Sequence, residues 1–127
     1  MKKLLFFIAV FFIPVLLFSQ HIPKAVKISG DLYEVALDGC NSAFLVTDSG
    51  VIVVDAGISP LDGWQLKRSI AEITKKTVKY VIITHHHFDH IGGVQVFLPG
   101  AQVIAQSGMF PNVEKCGMSL MNGFVEE

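Results

Sequence analysis

Four of the five histidines in this 127-residue chain fall between His85 and His90. They sit in the run Thr84-His85-His86-His87-Phe88-Asp89-His90-Ile91-Gly92-Gly93. Neutral imidazoles with a carboxylate suit Zn²⁺, and Fe or Mn are alternatives when more oxygen ligands are supplied. A cation held here would lower the pKa of a bound water towards about 7, and two cations would clamp one hydroxide and polarise a carbonyl or phosphoryl oxygen. If the preceding strand direction persists, His85 and His87 project to one side, because the pleat repeats every second residue. His86 then points the other way as a spacer, and Phe88 reads as a wall residue. The chain must turn next, which carries Asp89 and His90 round towards the first pair. The candidate metal ligands are therefore His85, His87, Asp89 and His90, and Asp89 is the residue expected to orient metal and water. A histidine-rich surface loop is the competing explanation, but this tract lies mid-chain, after an apolar strand, and contains an intervening Phe-Asp.

The elements that must position these residues read as an α/β layered domain. Val78 to Thr84 is apolar at every position of Val81-Ile82-Ile83, as expected of a strand covered on both faces. Functional groups in such sheets gather where strands end. Upstream, Val26 to Leu37 makes one or two short strands broken near Gly30-Asp31. Asn41 to Thr47 and Val51 to Asp55 flank Asp48-Ser49-Gly50, a three-residue hairpin loop that places Gly in the left-handed position. Ser59-Pro60 opens a helix, with Ser as the cap, Pro in the first turn and Asp62 at the positive end of the dipole. Leu66, Ile70, Ile73 and Thr77 share one face of it, and Gly63 weakens but does not end it. Gly92-Gly93 either lets backbone approach the site closely or starts a short helix over Val94 to Leu98 whose free amides favour an anion. Ala101 to Gln106 is a further buried strand, and Met109 to Glu127 carries no clear pattern. This is more sheet than the helices can cover.

Composition bounds the rest. The chain is 51% hydrophobic and 17% charged, with a formal net charge of −1. The apolar excess lies before Ser19, and the remainder of the chain has an ordinary globular balance. Without Lys2 and Lys3 the charge is −3, which gives no nucleic-acid surface. Met1-Lys2-Lys3 followed by the apolar run Leu4 to Phe18 is shorter than the roughly 20 residues of a membrane span. With Ser19 after it, the segment over residues 1–20 reads as a secretory signal peptide, an uncleaved anchor and a buried helix being the alternatives. An exported, periplasmic or secreted protein is expected, touching membrane only through that segment. Cys40 and Cys116 either pair in such a compartment or are two small half-buried thiols.

His85-x-His87-x-Asp89-His90, with Val81-Ile82-Ile83-Thr84 before it and Gly92-Gly93 after it, resembles the metallo-β-lactamase fold superfamily of metallohydrolases. Asn41-Ser42-Ala43-Phe44-Leu45-Val46 and Val53-Val54-Asp55-Ala56-Gly57 are similar to that family's first strands, so the resemblance covers roughly Ile28 to Gln106. It implies an αββα sandwich and, in a complete chain, two zinc ions, with His85 and His87 in the first site and Asp89 and His90 in the second. Asp55 would buttress the motif loop, the alternative being an ordinary Asp at a strand-end turn. The family draws its remaining ligands from later in the chain, whereas no histidine follows His90 here and the carboxylates after Asp89 are Glu114, Glu126 and Glu127. Residues 21–127 are accordingly expected to be the N-terminal part of such a domain, inactive as a fragment by itself. The implied function is metal-dependent hydrolysis of a small molecule, a hydroxide attacking a β-lactam, ester, thioester or similar centre. A degenerate metal-binding module and an iron-dependent redox member of the same fold are the alternatives.

Overall fold

Short β-branched strands separated by turn residues pair with their sequence neighbours, and one capped helix returns the chain for parallel addition. A computed structural model describes residues 21–98, 100–109 and 124–125; the expected signal peptide and Cys116 lie outside them. Strands β1 (Val26–Ser29) and β2 (Leu32–Ala36) pair antiparallel, which settles the Val26 to Leu37 stretch as two strands. β3 (Asn41–Val46) and β4 (Val51–Val54) extend the antiparallel meander. β5 (Val78–Ile83), β6 (Gln102–Ala105) and β7 (Phe124–Val125) add in parallel, so strands lie in space in their order along the chain.

The β3–β4 loop closes through the Thr47 amide, which donates to the Gly50 carbonyl at 2.8 Å. Gly50 has φ of 152°, not the left-handed helical value expected of a three-residue loop. Close neighbours explain the glycine: a Cβ there would stand 2.4 Å from the Lys79 side chain at Cγ and 2.8 Å from the Thr77 backbone carbonyl.

Helix α1 (Pro60–Ile73) crosses from β4 to β5. Ser59 caps it by accepting from the Asp62 amide, and Asp62 reaches back to the Ser59 amide at 3.1 Å. This reciprocal box satisfies two of the orphan donors at the helix start. The helix ends at Thr74, so Thr77 lies beyond it and Ile73 is left exposed, contrary to the four-residue face expected. Leu66 and Ile70 bury against Val53, Val81 and Val103 at the middle of the sheet, with Phe44 and Val35 extending the same core. At full burial each such side chain is worth about 1.5–3 kcal/mol.

The opposite sheet face is less covered. Leu45 and Tyr80 remain 39% and 38% exposed there, and Ile52, Val54, Ile82 and Ile104 are only partly buried. Strands apolar on both faces are thus buried fully on the helix side alone. Among the described residues no helix is long and apolar enough to cross a membrane.

Candidate metal centre

β4 and β5 run parallel and adjacent, so the residues that follow them meet beyond the same ends of the strands. Asp55 follows β4, and the histidine run follows β5. The Asp55 amide donates to the Ile82 carbonyl at 2.9 Å, continuing the ladder by one bond. The chain then turns with Asp55 at φ of 56°, a left-handed conformation that Asp tolerates better than most residues. This turn sends the Asp55 side chain, 5% exposed, across to the β5 side.

There Asp55 accepts three hydrogen bonds. The Thr84 amide donates to Oδ1 at 2.9 Å, the Thr84 hydroxyl to Oδ2 at 2.7 Å, and His90 Nδ1 to Oδ2 at 2.8 Å. Asp55 therefore buttresses the motif loop at both ends and is more than a turn residue. Because the Thr84 proton goes to Asp55, Thr84 Oγ1 is an acceptor for His85 Nδ1, 3.0 Å away. One carboxylate thus assigns protons to Nδ1 of both His85 and His90, which leaves the Nε2 lone pair of each available to a metal ion. The role of Thr84 has no mark in the sequence beyond its place beside His85.

A short helix, α2 (Phe88–Ile91), carries Asp89 and His90 back over the strand ends. Ile91 anchors it in the core. The paired glycines after it are a contact surface. The His90 carbonyl accepts from the Ala56 amide at 2.8 Å, and the Gly93 amide donates to the Gly57 carbonyl at 3.2 Å. A Cβ on Gly92 would lie 2.0 Å from the Ile58 carbonyl oxygen, and one on Gly93 would lie 2.0 Å from that of Ala56. Both explanations the sequence offered are met in part: backbone approaches closely at the two glycines, and Gly93 is also the cap of the next helical turn. After the glycines comes a single 3-10 turn over Val94–Val96, with no longer helix.

His85, His87 and Asp89 each offer one ligand atom within 4.8 Å of the others. The His85 ring centroid lies 4.7 Å from that of His87 and 4.0 Å from that of His90. His90 stands one step outside the group of three, with Nε2 at 3.2 Å from Asp89 Oδ2. An imidazole lone pair and a carboxylate at that distance need a proton or a metal ion between them. Nitrogen and oxygen donors clustered this way fit a zinc-type ion. His86 packs its ring edge-on to His87 at 5.0 Å and is outside the cluster. Phe88 is 61% exposed, so it does not wall the core side of the site.

Cys40, in the β2–β3 loop, is a neighbour that sequence reasoning did not connect to the site. Burial pushes its thiol above the ordinary value, and the carboxylates of Asp62, Asp89 and Asp55 push the same way against the pull of the Ser42 hydroxyl. The loop itself is closed by the Leu37 amide donating to the Cys40 carbonyl at 2.9 Å.

A mixed sheet with a cluster able to hold a metal ion beyond its parallel strand ends is the arrangement of a metal-binding α/β scaffold. Residues 35–104 match the profile of the metallo-beta-lactamase superfamily, and the chain belongs to that family. It is 33% identical over 73 residues to the atrochrysone carboxyl ACP thioesterase of Aspergillus fumigatus, covering 57% of this chain and 23% of that protein. It is 38% identical over 64 residues to the hydroxyacylglutathione hydrolase of Prochlorococcus marinus, covering 47% and 23%. A mutant metallo-beta-lactamase from Cronobacter sakazakii has a similar structure, with a TM-score of 0.64 and 26% identity over 76% of this chain and 39% of that one. The chain spans about a quarter of the length of these two curated relatives.

Proposed function

We propose that this chain contributes the metal-holding strand ends of an exported, metal-dependent hydrolase that acts on a small molecule with a β-lactam, ester, thioester or similar electrophilic centre. The observation that carries the reading is the convergence of His85, His87 and Asp89 within 4.8 Å, beside a His90 oriented by Asp55. His85 and His87 would hold one ion, and Asp89 with His90 a second, zinc being the metal best matched to these donors. Bound zinc supplies Lewis acidity and a water ionised near neutral pH. The chain's own residues do the positioning: Asp55 and Thr84 fix the imidazole tautomers, and Asp89 orients what binds between the two sites. The thioesterase and hydroxyacylglutathione hydrolase among its relatives favour acyl substrates. Export rests on the Met1-Lys2-Lys3 start and the apolar run Leu4 to Phe18.

Zinc titration by calorimetry, paired with hydrolysis assays on a β-lactam, a thioester and an aryl ester, tests the reading. Zinc binding that His87→Ala weakens at least tenfold, with turnover of one substrate class that Asp89→Asn abolishes, is the expected result. Zinc binding with no turnover in the protein carrying all its chain would make it a binding module instead. Iron retained in preference to zinc, with oxygen consumption, would replace hydrolysis by redox chemistry.

A further inference from the structure

Helix α1 has an outer face that the metal centre does not use. Gly63, Leu66 and Ile70 point into the protein, while Leu61 and Trp64 are 50% and 54% exposed. Lys67 and Arg68 are exposed beside them, and Lys67 Nζ lies 5.2 Å from the centroid of the Trp64 ring. At 100° per residue Leu61, Trp64 and Arg68 fall within about 60° of arc, a single strip along the helix. The exposed Glu72 falls about 20° beyond Leu61, at the margin of the strip where Ile22 to Ala25 pass, so the face carries two cations against one carboxylate. A half-buried indole with an apolar neighbour and two cations matches a lipid headgroup layer, in which Trp sits at the interface and Lys and Arg meet phosphates.

The path of the chain is a second, independent pointer. The apolar run Leu4 to Phe18 ends just ahead of His21. The His21 carbonyl accepts from Gln65 Nε2 at 3.3 Å, and the Pro23 carbonyl accepts from the Ser69 hydroxyl at 2.6 Å. Three residues of extended chain span at most about 10–11 Å. A membrane that takes up the run therefore lies within about that distance of the point where the chain joins α1.

We infer that the outer face of α1, Leu61 and Trp64 flanked by Lys67 and Arg68, rests on an anionic lipid surface. This depends on the alternative in which the run over residues 1–20 stays attached as an uncleaved anchor, and it is independent of the hydrolytic reading. Trp64 is the chain's single tryptophan, so its fluorescence reports this face alone.

The test uses the full chain with vesicles of phosphatidylcholine and phosphatidylglycerol, flotation reporting attachment and Trp64 emission reporting depth. The expected result is flotation, a blue shift of emission, and quenching by brominated acyl chains. The paired reversal Lys67→Glu and Arg68→Glu should abolish the shift and the quenching while flotation and far-ultraviolet dichroism stay unchanged. Flotation with Trp64 still emitting as in buffer would overturn the docking face and leave the membrane-inserting run intact. A chain that does not float at all would overturn both.

Discussion

Asp55 and His90, 35 positions apart in sequence, are joined by a 2.8 Å contact between Oδ2 and Nδ1. The same Oδ2 takes the Thr84 hydroxyl proton, so one buried carboxylate sets the direction of hydrogen bonding through two imidazoles. Substituting Asp55→Asn keeps the shape and the tolerance of positive φ but replaces one acceptor oxygen with a donor. Zinc affinity should fall about 10–100-fold, the usual effect of losing a carboxylate behind a ligating histidine. Asp55→Ala should lose affinity and also stability, by about 1–3 kcal/mol, because Ala is strained at φ of 56° and leaves the Thr84 amide unpaired. Calorimetric zinc titration and urea unfolding measure the two effects separately. An Asp55→Asn protein with unchanged zinc affinity would remove Asp55 from the site.

Gly93 ties α2 to the chain beyond β4 by the hydrogen bond its amide donates to the Gly57 carbonyl and by a close backbone approach that leaves no room for a side chain. Its φ is −94°, which any residue adopts, yet a Cβ would stand 2.0 Å from the Ala56 carbonyl oxygen. Gly93→Ala should therefore destabilise by about 2 kcal/mol or more, an overpacking cost with backbone on the other side of the clash. Gly100→Ala is the control, since its added Cβ meets only the Phe97 carbonyl at 3.7 Å. Urea midpoints for the two variants should differ clearly, and equal midpoints would contradict the packing described.

The cap of α1 offers a smaller effect of known sign. Ser59→Ala removes the oxygen that accepts from the Asp62 amide at 3.3 Å and should cost about 1 kcal/mol. Asp62→Asn should cost less than Asp62→Ala, because an amide oxygen still accepts from the Ile58 and Ser59 amides, now at 3.0 and 3.1 Å. Thermal unfolding of the three variants orders them.

Cys40 should behave as a masked thiol. Burial and the surrounding carboxylates favour its neutral form in the folded state. Its contribution to stability is then full below the ordinary thiol pKa of about 8.5 and is lost as pH rises through the higher folded value. In a Cys116→Ser background, iodoacetamide at pH 8 should label the native chain several-fold more slowly than the urea-unfolded chain, since only the thiolate reacts. Equal rates would mean that the thiol is neither buried nor near the carboxylates.

Much of this architecture is written locally. Ser59-Pro60 and Asp62 announce the helix start, because capping depends on residues three apart. The strands β3 to β5 are legible in their β-branched runs, and the excess of sheet over helix follows from counting apolar positions. His85, His87, Asp89 and His90 stand out as a ligand-type cluster within six residues, since their chemistry is carried by residue type and spacing.

Other features depend on which strand lies beside which. That Asp55 meets Thr84 and His90 follows from the parallel pairing of β4 with β5, a contact across 29 and 35 positions that no local pattern encodes. The reason for Gly92-Gly93 lies in the chain segment opposite it, so residue type alone leaves two mechanisms open. Cys40 comes near the carboxylates only through the β2–β3 turn. Residue types and their spacing set the donor atoms and the elements that carry them, because helix caps, pleats and ligand types are short-range properties. The tertiary structure alone decided which nitrogen of His85 and of His90 keeps its proton, because a tautomer is set by the hydrogen-bond partner that packing brings to it.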